Sequence, residues 1–253
     1  QEVRYWYDTP GRRAAHDARN RLAAERSAAA LAAAWQKRPA HPLTVVEGDG
    51  NIGVKGSGFE MLFSIAEQGP ISLRRDGTEW LWRAPRPAFW RASTDNDRGC
   101  GFPLRAAAWM AADVFVTYNG MKVLEAGPDC VKVQFQFGIP TVPGASAELV
   151  YTVEAQGALR VDAVYHGVAG APELPCFGVK FETFGPVTRT VWTGLSGETY
   201  PDRYKGGVFG CHEETPHVEP HLVSQDCGMH MQTRHPHPGP CRGFAGGAGP
   251  CAG

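Results

Sequence analysis

Apolar and polar residues alternate without a break from Val131 to Phe137. A two-residue period puts alternate side chains on opposite faces, so this run predicts a β-strand with one buried and one solvated face. Similar runs recur from Leu43 to Trp192, separated by Gly, Pro and Asp-Gly turn signals such as Asp76-Gly77. Many short strands with few helical segments predict a mainly β protein whose antiparallel sheets pack as a sandwich.

The two ends of the chain depart from this pattern. Residues 11–38 are rich in Ala and Arg, which predicts a helix of several turns. Large apolar residues are sparse in it, so we expect a weakly packed linker. Residues 235–253 are mainly Gly, Pro, Ala and Cys, and we expect a disordered tail. The sequence thus predicts three segments, 1–42, 43–234 and 235–253, of which the middle one forms the sandwich.

The composition argues against several classes of function. The 25 basic and 26 acidic residues leave a net charge of −1, so the sequence has no basic footprint for nucleic acid or an anionic membrane. The longest apolar run, Ala28 to Trp35, is too short to span a bilayer. The seven widely spaced cysteines include no C-x-x-C pair, which favours reduced thiols in the cytoplasm over a zinc site.

One polar stretch interrupts the strand pattern. It follows a strand-like run, Glu79–Arg83, and a proline-containing spacer, Ala84–Phe89. It reads Trp90-Arg91-Ala92-Ser93-Thr94-Asp95-Asn96-Asp97-Arg98-Gly99. Asp and Asn side chains favour turns, so we expect a polar loop held by neighbouring aromatic residues. A short helix is predicted after it, from Leu104 to Ala112, with strands resuming at Val114.

Asp95 and Asp97 are the first candidates for chemistry in this loop. Glycosidases use two carboxylates on opposite sides of a sugar ring, and residues two apart in one loop rarely reach that arrangement. We therefore interpret Asp95, Asn96 and Asp97 as braces that fix the shape of the loop. Arg98 could reach hydroxyl groups or a carboxylate, and Gly99 could act as a hinge.

Polar clusters also occur in the last third of the chain. Glu198, Asp202 and Arg203 predict an ion-paired corner, which is more often structural than catalytic. Several histidines and glutamates lie close in sequence without the spacing of a helical zinc motif, so we predict no metal site among them: His212, Glu213, Glu214, His217, Glu219, His221, His230, His235 and His237. The strand spacing of Trp80, Trp82 and Trp90 favours core positions over sugar stacking.

Four stretches together resemble the C-terminal domain of family 2 β-galactosidases, which is called the small chain or small subunit where the enzyme is split. They lie in the same order and at similar spacing from about Leu43 to Arg234: Trp82–Gly99, Leu174–Gly178, Gly194–Arg203 and Gln225–Met231. The Asp-Asn-Asp-Arg-Gly and Tyr-Pro-Asp-Arg motifs within them are specific to this family.

The resemblance implies a β-supersandwich of the galactose-mutarotase-like type. It also implies a role in hydrolysing terminal non-reducing β-D-galactose residues as one part of a larger, oligomeric enzyme. In the family, the catalytic glutamates and the magnesium and sodium ligands lie in a separate (β/α)8 barrel. The resemblance therefore implies that this chain carries no catalytic residue and no cofactor. It also implies that the partner of this chain is a large chain that contains the barrel.

The family domain contributes a mobile loop at the mouth of the active site. That role carries over to Asp95, Asn96, Asp97, Arg98, Gly99 and Gly101, with Cys100 between the last two. The Tyr-Pro-Asp-Arg region carries over as a structural motif that contains Glu198, Tyr200, Asp202 and Arg203.

The family domain also continues past the position of Arg234 and later supplies a tryptophan to the sugar-binding platform. This chain has no equivalent, so we expect a truncated domain whose C-terminus has been replaced. Two alternatives remain open. One is a stand-alone carbohydrate-binding or mutarotase-like domain, with His166 or His212 paired with Glu198 as acid and base. The other is a defective gene product without function.

Overall fold

The computed structural model describes residues 41–185, 187–195, 209–215, 222–225, 230–233 and 235–238. Strands dominate these residues, and every hydrogen-bonded pair of strands among them is antiparallel, as the sequence predicts. The predicted linker helix and the Glu198–Arg203 motif lie outside the described residues. Two compact units can be distinguished, one spanning residues 38–184 and one that contains the described residues from Gly185 onward.

The described strands of the first unit form three sheets. In chain order they are β1 (Thr44–Glu47), β2 (Asn51–Gly56), β3 (Phe59–Ser64), β4 (Gly69–Arg75), β5 (Thr78–Glu79), β6 (Leu81–Ala88), β7 (Thr117–Ala126), β8 (Cys130–Gly138), β9 (Ser146–Glu154), β10 (Leu159–His166) and β11 (Gly178–Thr183). Strands β1 to β5 form a meander, β7 to β10 form a second meander, and β6 pairs with β11. Asp76 and Gly77 form the tight turn that connects β4 to β5, with φ angles of 48° and 79°. The predicted Asp-Gly hairpin is therefore confirmed.

The two meanders share one hydrophobic core. Val131, Val133, Phe135 and Phe137 are fully buried while the residues between them are partly exposed, so the predicted alternation along β8 is confirmed. The Phe63 ring of the first meander stacks on Phe135 of the second, with 6.3 Å between the ring centroids. Side chains of both sheets form the cluster, which is the packing of a β-sandwich.

A second core is built mainly from connections rather than from sheet faces. The rings of Phe89, Trp109, Tyr165 and Phe177 pack with neighbouring centroid separations of 5.7–6.2 Å. The Trp109 indole N–H donates to the carbonyl oxygen of Pro172 at 3.1 Å, so this buried polar group is satisfied. The core therefore joins the residue before the polar stretch to the segment after it.

Three short helical turns replace the predicted loop and the predicted helix after it. They are α1 (Asp95–Gly99), α2 (Phe102–Arg105) and a 3₁₀ turn at Ala107–Trp109. The predicted helix over Leu104–Ala112 is thus wrong as a continuous element. The alanines of this segment favour a helix, but the segment instead forms separate short turns in which Trp109 and Ala112 pack into the second core. Met110, predicted on the apolar side with Trp109, is exposed.

The proline-containing spacer Ala84–Phe89 also differs from the prediction, because β6 continues through it to Ala88. Pro87 pairs with Val179 of β11, and β6 has no second hydrogen-bonded neighbour in the described sheets. An edge strand tolerates proline because one row of its N–H groups is not needed by the ladder. Trp82 on the same strand is 62% exposed and packs edge-on against Phe184, so its predicted core position is wrong.

The second unit contains a three-stranded sheet with β12 (Thr190–Leu195) between β13 (Phe209–Glu214) and β14 (His235–Pro238). Trp192 is buried on β12 and stacks on the His230 ring at 3.8 Å between centroids. The sequence predicts disorder for residues 235–238, but their backbone pairs with β12. The remainder of the expected tail lies outside the described residues.

Candidate functional site

The polar stretch is fixed at both ends by the second core. Phe89 before it and Trp109 after it are fully buried and pack against each other at 5.7 Å between ring centroids. Between them, Asp95, Asn96 and Arg98 are exposed. The arrangement presents polar side chains to solvent from a buried aromatic base.

Thr94 and Asp97 form a reciprocal cap at the start of α1. The Asp97 backbone N–H donates to Thr94 Oγ1 at 3.1 Å, and the Thr94 backbone N–H donates to Asp97 Oδ2 at 2.8 Å. This capping box satisfies two backbone donors at the helix start. It explains why Asp and Asn residues that favour turns form a helical turn here. The Thr94-x-x-Asp97 spacing is the sequence signal that the loop prediction missed.

Arg91 completes the brace from the preceding segment. Its Nη1 atom donates to Asp97 Oδ2 at 2.6 Å and its Nη2 atom donates to Asp97 Oδ1 at 3.2 Å, which is a forked, charge-assisted pair. The bonds from Arg91 and those from Thr94 stabilise the charged form, whereas partial burial disfavours it. The net effect lowers the pKa of Asp97 from 3.8 to about 2. Arg91 lies in the stretch that the sequence singled out, but its partner could not be read from spacing alone.

The brace determines what Asp97 can do chemically. A carboxylate with a pKa near 2 is a weak base and carries no proton to give at neutral pH, so it is poorly suited to general acid or base catalysis. Asp95 is exposed at the first position of α1. The geometry therefore favours the interpretation of Asp97 as a structural brace.

Gly101 is the residue of the loop that requires glycine. Its φ angle of 69° lies in the left-handed region, and it connects α1 to α2. Gly99 is the last residue of α1 and has no such angle. Arg105 Nη1 donates to the Cys100 carbonyl oxygen and so ties α2 back to the connection. A hinge at Gly99 stays a prediction, whereas the special backbone geometry is at Gly101.

The remaining candidate residues are distributed over both units. On the outer face of the second meander, His166 Nε2 lies 2.8 Å from Glu148 Oε1, and Gln134 also contacts the Glu148 carboxylate. In the second unit, His230 Nε2 lies 3.2 Å from Glu214 Oε1. Glu198, Tyr200, Asp202 and Arg203, with His217, Glu219 and His221, lie outside the described residues. The proposed pairing of His166 or His212 with Glu198 stays a prediction.

Among the described residues, no group of three or more His, Cys, Asp and Glu side chains is arranged to hold a metal ion. In the same part of the chain, no helix is long and apolar enough to cross a membrane. Cys100 and Cys130 are free thiols.

Fold and site together define an antiparallel β-sandwich protein that carries a capped and ion-paired polar turn beside an aromatic core. Comparison with known families gives the more specific assignment. Residues 55–237 match the family model described as Beta galactosidase small chain. The chain therefore belongs to the β-galactosidase small-chain family, as the resemblance in the sequence implied.

Individual relatives agree with this assignment. The chain is 45% identical over 211 residues to the Beta-galactosidase small subunit of Latilactobacillus sakei, covering 76% of this chain and 66% of that protein. It is 36% identical over 174 residues to a Beta-galactosidase of Clostridium acetobutylicum, covering 68% of this chain and 19% of that protein. It is 34% identical over 196 residues to a Beta-galactosidase of Streptococcus thermophilus, covering 76% and 19% respectively. The chain thus spans about a fifth of the two longer relatives.

Proposed function

We propose that this chain is the small-chain part of a β-galactosidase that hydrolyses terminal non-reducing β-D-galactose residues. In this proposal the turn from Asp95 to Gly101 lies at the mouth of the active site, where its exposed polar residues contact the sugar or the leaving group. The catalytic glutamates and the magnesium and sodium ions belong to a barrel-bearing large chain. The assembled enzyme is an oligomer in the cytoplasm.

The observation that carries this proposal is the brace around Asp97 in a member of the small-chain family. Thr94 and Arg91 use both carboxylate oxygens, so Asp97 serves to hold the backbone in one shape. A preorganised loop contributes to catalysis by keeping contacts in place when the substrate arrives. In this proposal the reacting groups come from another part of the enzyme.

Complementation with a large chain tests the proposal. The pure chain is mixed with the purified large chain of a two-chain β-galactosidase, and hydrolysis of a chromogenic β-galactoside is followed. We expect no turnover by this chain alone and an increase of activity that saturates with its concentration. Turnover by the pure chain that Asp95→Asn or Asp97→Asn abolishes would contradict the proposal.

A stand-alone sugar-binding domain is the second candidate, and the outer face of the second meander favours it. His166, Glu148 and Gln134 form a connected polar group there, and such groups hydrogen-bond to hydroxyls. Mutarotation would need an acid and a base on either side of the sugar, whereas His166 and Glu148 contact each other at 2.8 Å. Calorimetry with galactose distinguishes the candidates, since millimolar or tighter binding without a partner chain supports this one.

A further inference from the structure

The segment that follows the polar turn exposes an unusual concentration of large apolar side chains. Leu104, Met110, Val114 and Phe115 are 85%, 52%, 74% and 60% exposed, and all four lie within twelve residues. We call these four residues the 104–115 surface. Scattered exposed apolar residues are normal on a protein, whereas several of them in one short segment indicate an interaction site.

The backbone beneath this surface is firmly held. Ala106, Trp109 and Ala112 of the same segment are fully buried in the second core, and the Trp109 indole is bonded to Pro172. The inward side of the segment is thus already occupied by packing within the chain. The outward apolar side chains cannot turn into the core without displacing it, so their exposure is a property of the fold.

The segment that carries this surface also follows the polar turn directly in the chain. Phe102 begins α2 directly after Gly101, and Arg105 bonds back to the Cys100 carbonyl oxygen. Arg105 also pairs with Glu173 at 3.4 Å, so its charge is partly compensated within this chain. A partner that meets the polar turn therefore meets a largely apolar surface beside it, which is the composition of an interface core.

We propose that the 104–115 surface docks against the large chain of a β-galactosidase, beside the active-site cleft. This inference rests on the proposed function, because a turn at the mouth of the cleft brings the adjoining surface against the same chain. The longer relatives support the choice of partner. This chain matches only 19% of the length of the proteins from Clostridium acetobutylicum and Streptococcus thermophilus, so a much larger remainder is available to cover the surface.

The test uses the full chain and a double variant, Leu104→Asp with Phe115→Asp. Its matched control is Val46→Asp, which changes a residue that is 66% exposed on β1 and outside the surface. Binding to the purified large chain is measured by sedimentation and by the concentration dependence of restored activity. We expect the double variant to bind about tenfold more weakly or worse, as loss of central apolar contacts does. The dissociation constant of the control variant should stay within about twofold of the wild-type value.

The outcomes separate this inference from the function on which it rests. Equal binding by the wild type and the double variant would overturn the docking surface and leave the proposed function intact. Failure of the wild type to bind or activate the large chain would overturn both. A dimer of this chain alone that the double variant dissolves, with large-chain binding unchanged, would assign the surface to a second copy instead. Unchanged thermal unfolding of each variant serves as the folding control.

Discussion

Replacing Asp97 by Asn keeps the size of the side chain but removes its charge and one of the two oxygens that accept from Arg91. Asp97 titrates at about 2 instead of 3.8, a difference of about 1.8 pKa units. At 1.36 kcal/mol per unit this corresponds to at most about 2 kcal/mol of folding free energy. The side chains of Arg91 and Asp97 are 30% and 15% exposed, so solvent partly screens the ion pair. We therefore expect Asp97→Asn to lower the free energy of unfolding at pH 7 by about 1–2 kcal/mol.

The pH dependence of that difference identifies its origin. Because the pKa of Asp97 is lower in the folded state, its stabilisation is complete above about pH 5 and is lost as the pH falls from 4 toward 2. Roughly half should be gone at pH 3, where most unfolded molecules have bound the proton and most folded ones have not. Urea unfolding of both proteins at pH 7, 4 and 3 measures this change.

The exposed neighbour Asp95 provides the matched control. Asp95→Asn should change stability by less than about 0.5 kcal/mol, as a surface substitution does. An Asp97→Asn deficit that stays constant from pH 7 to pH 3 would refute the ion-pair explanation and assign the loss to altered packing.

Three further substitutions test the described geometry by thermal or urea unfolding. Gly101→Ala should destabilise the protein by about 1 kcal/mol, because the φ angle of Gly101 is 69°. Gly99→Ala should be neutral or slightly stabilising, because Gly99 lies in α1 with open space for the added methyl group. Equal losses of stability in the two variants would contradict this assignment. Trp109→Phe should cost about 1–3 kcal/mol through lost volume and an unpaired Pro172 carbonyl oxygen, accompanied by weaker complementation. Tyr151→Phe should be neutral or stabilising by up to about 1 kcal/mol, because its buried hydroxyl has no hydrogen-bond partner among the described residues; a clear loss would reveal a partner.

The sandwich was readable from the sequence because its signals are local. Alternation fixes which face of β8 is buried, and the Asp76-Gly77 pair fixes the turn between β4 and β5. Strand spacing alone does not show whether anything covers the outer side of β6, which is why it predicts a core position for Trp82 although this residue is exposed. Pattern arguments therefore succeed where one element determines the answer and fail where a distant neighbour decides it.

The candidate site shows the same division. The polar composition of the turn was evident, and so was its position beside aromatic residues. Its helical form depends on the cap between Thr94 and Asp97, which the Thr94-x-x-Asp97 spacing indicates locally. Its second brace depends on the rotamer of Arg91, which three-dimensional packing sets. The burial of Trp109 similarly depends on Pro172, 63 positions later in the chain.

The pairing of β6 with β11 has a consequence for how the protein is made. Arg83 and Glu182, which pair across these strands, are 99 positions apart, and Phe177, beside β11, completes the aromatic base under the polar turn. Closing so long a loop costs chain entropy before its contacts can repay it, which makes such pairings late steps in folding. During synthesis the turn at Asp95 therefore leaves the ribosome long before the residues that hold it in place. Slow translation upstream of Phe177 would prolong a stage in which the emerging chain exposes apolar surface, and chaperone demand should be greatest there.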